Sequence, residues 1–182
     1  MSAAKLLKNP FVLVPLITGV VLPCAAFLVL HFSHNAKSES LVSFKDGVVI
    51  SGQPLPKTDL LDLNGNKVSP ETLRGGKVLL VFMTTGCQPC KKELKLLSSV
   101  DSQISSKVRV YGVGVENRSQ IMNFIKENEV VTKIVQDEDG SLMRALSVKY
   151  FPTKFLIEDG VIVKTWFGNS PNQAELFKQL GL

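Results

Sequence analysis

The longest apolar run of the chain extends from residue 11 to residue 32 and contains no charged side chain. Its length matches the roughly 20 residues that a helix needs to cross the hydrocarbon core of a membrane. Lys5 and Lys8 precede it without an acidic neighbour, and positive charge on that side is typical of a cytoplasmic N-terminus. The pattern therefore predicts a cytoplasmic segment at 1–10 and a single transmembrane anchor at 11–32.

A cleaved signal peptide is the alternative interpretation of the same segment. The basic start of the chain fits it, but the apolar run is long for such a peptide and lacks an A-x-A-like cleavage site. Either interpretation places the rest of the chain outside the cytoplasm, which means the periplasm in a bacterium with two membranes.

After the apolar run, the polar residues at 33–45 predict a linker, and 46–182 has the length of one ordinary domain. The run KVLLVFM at 77–83 is almost continuously apolar, which is typical of a strand buried on both faces of an α/β sheet. The other predicted elements are, in chain order, a strand at 48–50, a strand, turn and strand at 60–68, a helical turn at 69–71, a helix at 90–100, a strand at 109–115, a helix around 121–125, a short helix after Gly140, a hairpin of strands at 153–157 and 161–167, and a last helix begun by Ser170 and Pro171. Their order predicts an α/β fold with a central mixed sheet flanked by helices.

Charge narrows the possible partners only slightly. The chain carries a formal net charge of +5, without a long basic run and without the interleaved aromatic residues that nucleic-acid grooves use. A nucleic-acid partner is therefore not expected.

The cysteines give the strongest chemical signal. Cys24 lies inside the apolar run, which leaves Cys87 and Cys90 as a CxxC pair between a buried strand and a helix. Free N–H groups at a helix start stabilise a thiolate, so Cys87 is the predicted nucleophile. Cys90, one turn further along, suits the resolving role, in which it attacks a mixed disulfide and releases the reduced partner.

A zinc site is the alternative use of such a pair. Zinc takes four ligands, and the two histidines, His31 and His34, lie at the membrane end of the chain. We therefore expect no metal, and no cofactor beyond a redox-active disulfide between the two cysteines.

Three segments together resemble a known family. These are 79–86, with the sequence LLVFMTTG, 87–93, with CQPCKKE, and 151–157, with FPTKFLI. The chain is similar over most of 55–182 to the TlpA/ResA-like family of membrane-anchored, thioredoxin-fold disulfide reductases. The resemblance implies a thioredoxin-like fold for the exported domain.

The resemblance also implies roles for three residues besides the cysteines. Pro152 is expected to be cis and to pack against the cysteine pair, where a residue without an N–H leaves the backbone edge open to a substrate chain. Glu93 is expected to move protons during thiol exchange, and its alternative is a solvated helical glutamate paired with a lysine. Phe151 either faces the substrate beside Pro152 or packs in the core.

Three positions depart from the family pattern. Gly86 stands where a tryptophan commonly precedes the first cysteine, and Lys95 replaces a common proline. Val81 occupies the place where thioredoxins bury an aspartate, which removes one candidate base and shifts weight to Glu93. The missing tryptophan removes a contact surface beside Cys87, so the substrate preference is open while the thiol chemistry is not.

The sequence therefore predicts a membrane-tethered thiol-disulfide oxidoreductase that acts on protein thiols or disulfides and draws electrons from a membrane protein. The resemblance implies a reductase, with cytochrome c maturation as a possible setting. A peroxiredoxin-like peroxidase is one alternative, although Leu80 stands where such sites carry a proline. A Sco-type copper chaperone is the other, but that class has a CxxxC pair and a later histidine.

Overall fold

A mixed sheet of nine strands forms the centre of the structure, a computed structural model that describes residues 43–45, 48–50 and 52–182. The strands are β1 (Ser43–Lys45), β2 (Val48–Ile50), β3 (Gln53–Pro54), β4 (Leu61–Asp62), β5 (Lys77–Met83), β6 (Arg109–Gly114), β7 (Lys133–Gln136), β8 (Thr153–Glu158) and β9 (Val161–Phe167). Their spatial order is β1-β2-β9-β8-β5-β6-β7-β4, and β3 pairs with β9. The helices are α1 (Pro70–Arg74), α2 (Gln88–Ile104), α3 (Arg118–Asn128), α4 (Ser141–Ala145) and α5 (Gln173–Leu180).

Strand β5 lies inside the sheet and is buried on both faces, as its apolar sequence predicts. It runs parallel to β6 and antiparallel to β8. Alternate residues enter two separate clusters: Leu79 and Val81 pack with the α2 side chains Leu94 and Leu97, and Leu80 packs on the other face. The helix that carries the cysteines is thereby fixed against one face of the sheet.

Most predicted elements of the domain are confirmed, and the differences are local. Strand β7 is absent from the prediction, because KIVQ has only two strongly apolar residues between polar ones. The strands predicted at 60–68 shrink to β4 and a single bridge between Leu61 and Lys67. Strand β1 lies within the segment predicted to be a linker, so the sheet begins before residue 46.

The start of the last helix is predicted wrongly. Helix α5 begins at Gln173, and Asn172 caps it by accepting a hydrogen bond from the backbone N–H of Glu175 at 2.9 Å. Ser170 is not a cap, because its side chain is buried and makes contacts elsewhere.

The membrane prediction falls on a part of the chain without described structure. Within residues 43–45, 48–50 and 52–182, no helix is long and apolar enough to cross a bilayer. The predicted cytoplasmic segment 1–10 and the predicted anchor 11–32 both lie outside those residues.

Candidate active site

Cys87 and Cys90 are joined by a disulfide at the N-terminal end of α2, with their Sγ atoms 2.08 Å apart. Cys87 is half-buried, whereas Cys90 is 0 % exposed. Of the two cysteines, Cys87 is therefore the more accessible from solution. This difference in access agrees with the predicted roles of nucleophile and resolving thiol, which stay predictions.

Cys87 is the N-cap of α2. Its Sγ accepts a hydrogen bond from the backbone N–H of Cys90 at 3.1 Å, and Pro89 occupies the first turn, where no intrahelical donor is lost. The first turn contains no acidic residue that would oppose negative charge on the sulfur. Free N–H groups and the partial positive charge of a helix start favour a thiolate, so this position is the one that the predicted nucleophile requires.

The loop between β5 and α2 is hydrogen-bonded to a residue that follows the neighbouring strand β6. Glu116, which follows β6, accepts hydrogen bonds from the backbone N–H and the hydroxyl of Thr85 at 2.6 and 2.8 Å. The backbone N–H of Cys87 also donates to the carbonyl of Thr84 at 3.2 Å. The position of Cys87 is therefore set by two strands and not by α2 alone.

Pro152 precedes β8, and the peptide bond between Phe151 and Pro152 is cis, as the resemblance implies. Strand β8 pairs antiparallel with β5, and Thr153 lies opposite Phe82. The register brings the start of β8 next to the end of β5, from which the chain continues to Cys87. Phe151 is half-buried and contacts both core clusters. It therefore packs partly in the core, as one prediction has it, and keeps part of its ring accessible, as a substrate-facing residue would.

Glu93 is 0 % exposed, which excludes the interpretation as a solvated helical glutamate. Its Oε1 atom lies 2.9 Å from Nζ of Lys154, and its Oε2 atom accepts a hydrogen bond from the backbone N–H of Ser170. Glu93 does pair with a lysine, but the pair is buried and its cation comes from a distant strand, not from a neighbour on α2. Cys90 and Glu93 stand three apart on α2 and share its buried face.

Lys154 is a site residue that the sequence reasoning missed. It is 1 % exposed, and its Nζ donates to Ser170 Oγ at 2.6 Å and to Gln179 Oε1 at 2.9 Å as well as to Glu93. Burial lowers the pKa of Lys154 below its usual value, while the charge of Glu93 and its hydrogen bond oppose that shift. The sequence does contain an indication of this role. Strand β8 is buried on both faces, so a lysine between Thr153 and Phe155 requires a buried partner for its charge.

A polar groove of about 380 Å³ runs beside Cys87. Gly86 and Lys91 line one side, and Glu127 and Asn128 of α3 line the other. The side-chain oxygen of Asn128 is buried and has no hydrogen-bond partner among the described residues. A Cβ atom on Gly86 would have no neighbour within 4 Å, so this position, where the family commonly carries a tryptophan, borders open space.

A pair of exposed aromatic rings lies near Pro152. Tyr150 is 68 % exposed, and its ring meets that of Phe167 edge to face with centroids 6.3 Å apart. The backbone N–H of Gly168 donates to the carbonyl of Pro152 at 2.8 Å, which ties the end of β9 to this loop. The sequence analysis did not single out Tyr150, which stands directly before Phe151 and Pro152.

The comparisons with known proteins agree with this site. The family model described as "AhpC/TSA family" matches residues 51–165. The chain belongs to the AhpC/TSA family. It is 32 % identical over 156 residues to "Thiol-disulfide oxidoreductase ResA" of Bacillus subtilis, which covers 83 % of this chain and 83 % of that relative. The chain is a thiol-disulfide oxidoreductase, as the cysteine pair predicts.

Three further matches extend the likeness. "Sporulation thiol-disulfide oxidoreductase A" of Bacillus subtilis is 38 % identical over 112 residues, which cover 58 % of this chain and 67 % of the relative. The crystal structure of StoA from Bacillus subtilis, at 32 % identity and a TM-score of 0.58, covers 69 % of this chain and 96 % of its own. A thiol:disulfide interchange protein of the thioredoxin family from Chlorobium tepidum has a TM-score of 0.62 at 21 % identity, covering 71 % of this chain and 94 % of its own, and supports the fold.

Proposed function

We propose that this thiol-disulfide oxidoreductase is a membrane-tethered reductase of protein disulfides that works outside the cytoplasm. The observation that carries the proposal is the asymmetric pair at the start of α2, with an accessible Cys87 and a fully buried Cys90. A buried second thiol reacts with a disulfide formed at its neighbour more readily than with a new partner from solution. The pair therefore suits the sequential transfer that disulfide reduction requires.

In the proposed reaction, the Cys87 thiolate attacks one sulfur of a substrate disulfide. A Cys87–substrate disulfide forms, and the other substrate sulfur leaves as a thiolate. Cys90 then gives up its proton, attacks the Cys87 sulfur and releases the second substrate thiolate, so that the enzyme ends with the Cys87–Cys90 disulfide. The open backbone edge beside Phe151 and Pro152 takes the substrate chain, and Glu93 handles the Cys90 proton.

The membrane topology and the partners belong to the proposal. The uncharged run at 11–32 anchors the domain, and Lys5 and Lys8 keep the N-terminus in the cytoplasm. Each turnover leaves a disulfide that must be reduced again, so a membrane protein supplies electrons from the cytoplasmic side. The cysteines of exported cytochrome c are the substrate class that the family resemblance favours.

A trapping experiment tests the exchange and identifies the substrate. Cys90→Ala removes the resolving thiol, so the Cys87–substrate disulfide should accumulate in cells and be released from purified full-length protein by a reductant. The matched control is the Cys87→Ala/Cys90→Ala pair, which must trap nothing. If Cys90→Ala captures no protein at Cys87 beyond that control, the proposed reaction is wrong.

The direction of the reaction is tested by the reduction potential of the Cys87–Cys90 couple. A reductase requires a value near that of thioredoxin, about −270 mV, while a value near about −120 mV would make the protein an oxidant. Peroxide consumption that depends on Cys87 and outpaces disulfide reduction would favour the peroxidase instead. Stoichiometric copper in the purified protein would favour the chaperone.

A further inference from the structure

Lys154 presents a buried cation to Glu93, which stands three residues after Cys90 on α2. It lies on β8, two residues after Pro152, and its register partner on β5 is Val81. The ammonium group contacts three oxygen atoms, from Glu93, Ser170 and Gln179, and is 1 % exposed. Burying a lysine is costly unless its charge is paired, so this arrangement calls for a reason beyond packing.

The carboxyl group of Glu93 is fully buried and finds its counter-charge in this cation. Desolvation disfavours the charged form of a buried carboxyl group that has no such partner. An ammonium group at 2.9 Å favours the carboxylate, and the N–H of Ser170 on Oε2 adds to the effect. Glu93 follows Cys90 by three residues on the same helix face, which places their Cβ atoms roughly 5–6 Å apart.

We propose that Lys154 is a positioning residue that keeps Glu93 ionised, so that Glu93 can take the proton of Cys90 when the mixed disulfide is resolved. This inference rests on the exchange reaction at Cys87 and Cys90. Lys154 acts through the Glu93 carboxylate and not through a contact with either sulfur.

The Cys90 thiol transfers its proton to the Glu93 carboxylate, which becomes a carboxylic acid. The resulting Cys90 thiolate donates an electron pair to the Cys87 sulfur, the Cys87–substrate bond breaks, and the substrate sulfur leaves as a thiolate. The enzyme pair is oxidised to a disulfide and the substrate is reduced.

The surrounding groups support both charge states of Glu93. When Glu93 is neutral, Ser170 Oγ and Gln179 Oε1 still accept hydrogen bonds from the Lys154 ammonium group. Glu175 on α5 adds negative charge that favours the protonated lysine. The cation can therefore remain in place while the proton moves on and off Glu93.

The two thiol steps can be followed separately in one reaction. The reduced, detergent-solubilised full chain, carrying Cys24→Ser in every variant, is mixed with 5,5′-dithiobis(2-nitrobenzoate), and each released aryl thiolate is counted by its absorbance. The first release reports attack by Cys87, and the second reports resolution by Cys90. Absence of the first release would contradict the exchange reaction itself, whereas a change confined to the second concerns Lys154 and Glu93.

We expect Lys154→Met to slow the second release at pH 7 by about tenfold or more, within the range that a general base contributes. The first release should stay within about twofold, and the second should recover as the pH rises because hydroxide replaces the missing base. Glu93→Gln should behave in the same way, and Lys154→Arg should restore most of the rate. A second release that Lys154→Met leaves unchanged overturns the proposal.

The double variant separates this role from packing. Lys154→Met/Glu93→Gln contains no unpaired buried charge, so it should fold even if Lys154→Met alone does not. If Lys154 acts through Glu93, the double variant resolves the mixed disulfide as fast as Glu93→Gln. If instead the rate loss of the double variant equals the product of the losses in the two single variants, Lys154 acts independently of Glu93, which contradicts the inference.

Discussion

The carboxylate of Glu116 binds Thr85 twice, through its backbone N–H at 2.6 Å and its hydroxyl at 2.8 Å. The two residues follow the parallel strands β6 and β5, which end at the same edge of the sheet. Thr85 stands two residues before Cys87. The contact therefore ties the entry of the active-site helix to a strand that contributes no cysteine.

We expect Glu116→Ala to lower the free energy of unfolding by about 1–3 kcal/mol, since it removes the charged acceptor of two hydrogen bonds. Disulfide exchange at Cys87 should slow several-fold because the loop before it loses its attachment. Chemical denaturation and single-turnover kinetics measure the two effects. Thr85→Ala keeps the backbone hydrogen bond and is the matched control, so a Thr85→Ala effect as large as that of Glu116→Ala would contradict this account.

Gly86→Trp should fold normally, because a side chain at this position begins in open space. We expect its unfolding free energy to stay within about 0.5 kcal/mol of the wild type, as for surface substitutions in general. The new ring should narrow the polar groove beside Cys87 and change KM for protein substrates more than the rate with a small aromatic disulfide. Equal effects on both substrates would show that the groove does not contribute to substrate choice.

Gly114→Ala, a substitution on β6, should destabilise the fold, in contrast to Gly86→Trp. An added Cβ atom would lie 2.6 Å from Cδ1 of the buried Ile121, so α3 or the strand must shift. Overpacking of this kind costs about 1–3 kcal/mol, which a urea or guanidinium unfolding curve would detect. A stability equal to that of the wild type would mean that the contact between β6 and α3 is looser than described.

Alanine substitutions at two polar residues near α5 should have different effects on the thiol chemistry. Asn172→Ala removes the N-cap of α5 and should cost about 1 kcal/mol of stability without changing the thiol chemistry. Ser170→Ala removes a hydroxyl that contacts both Glu93 and Lys154, so it should also slow the resolution of the mixed disulfide. The same two-step release assay distinguishes the variants, and a slow second step in Asn172→Ala would contradict the distinction.

The lowered pKa of Lys154 predicts a pH dependence of stability. The folded chain loses the lysine proton at a lower pH than the unfolded chain, whose ordinary value is 10.5. Between the two values the unfolded chain binds more protons, so the contribution of Lys154 to stability rises with pH through that window. Removal of Glu93, whose charge opposes the shift, should move the start of the window to lower pH.

A pair of variants isolates this titration. The stability of Glu93→Gln relative to Lys154→Met/Glu93→Gln should increase from pH 7 towards 10.5, as measured by denaturant midpoints at each pH. Other ionisable groups are common to both proteins and cancel in the difference. A difference that is flat or falls with rising pH would mean that Lys154 is not desolvated in the folded state.

The sequence predicted the elements whose pattern is strong. The apolar run of β5, the CxxC pair at a helix start, and the hairpin of β8 and β9 carry enough local information to be located without a structure. The short strand β7 does not carry enough local information to be predicted, because its own residues have a weak strand pattern and its pairing with β6 fixes the strand. Tertiary pairing overrides weak propensity in such strands.

The polar network behind the site could not be predicted as a whole. Its four residues come from two helices, one strand and the loop between β9 and α5, and no local spacing relates them: Glu93, Gln179, Lys154 and Ser170. Ser170 followed by Pro171 has the local signature of a helix start, yet the chain uses Ser170 to satisfy a buried carboxylate. Asn172, two residues later, takes over the capping.

The antiparallel pairing of β5 with β8 joins residues that are far apart in the chain. Synthesis delivers both cysteines and α2 well before β8 and Pro152. A chain that stops after α3 would therefore contain the reactive pair without the strand that flanks it and without the cation opposite Glu93. The choice of a partner at this site is consequently a property of the finished sheet, because nascent or truncated forms would carry the cysteine pair without the backbone edge beside Pro152.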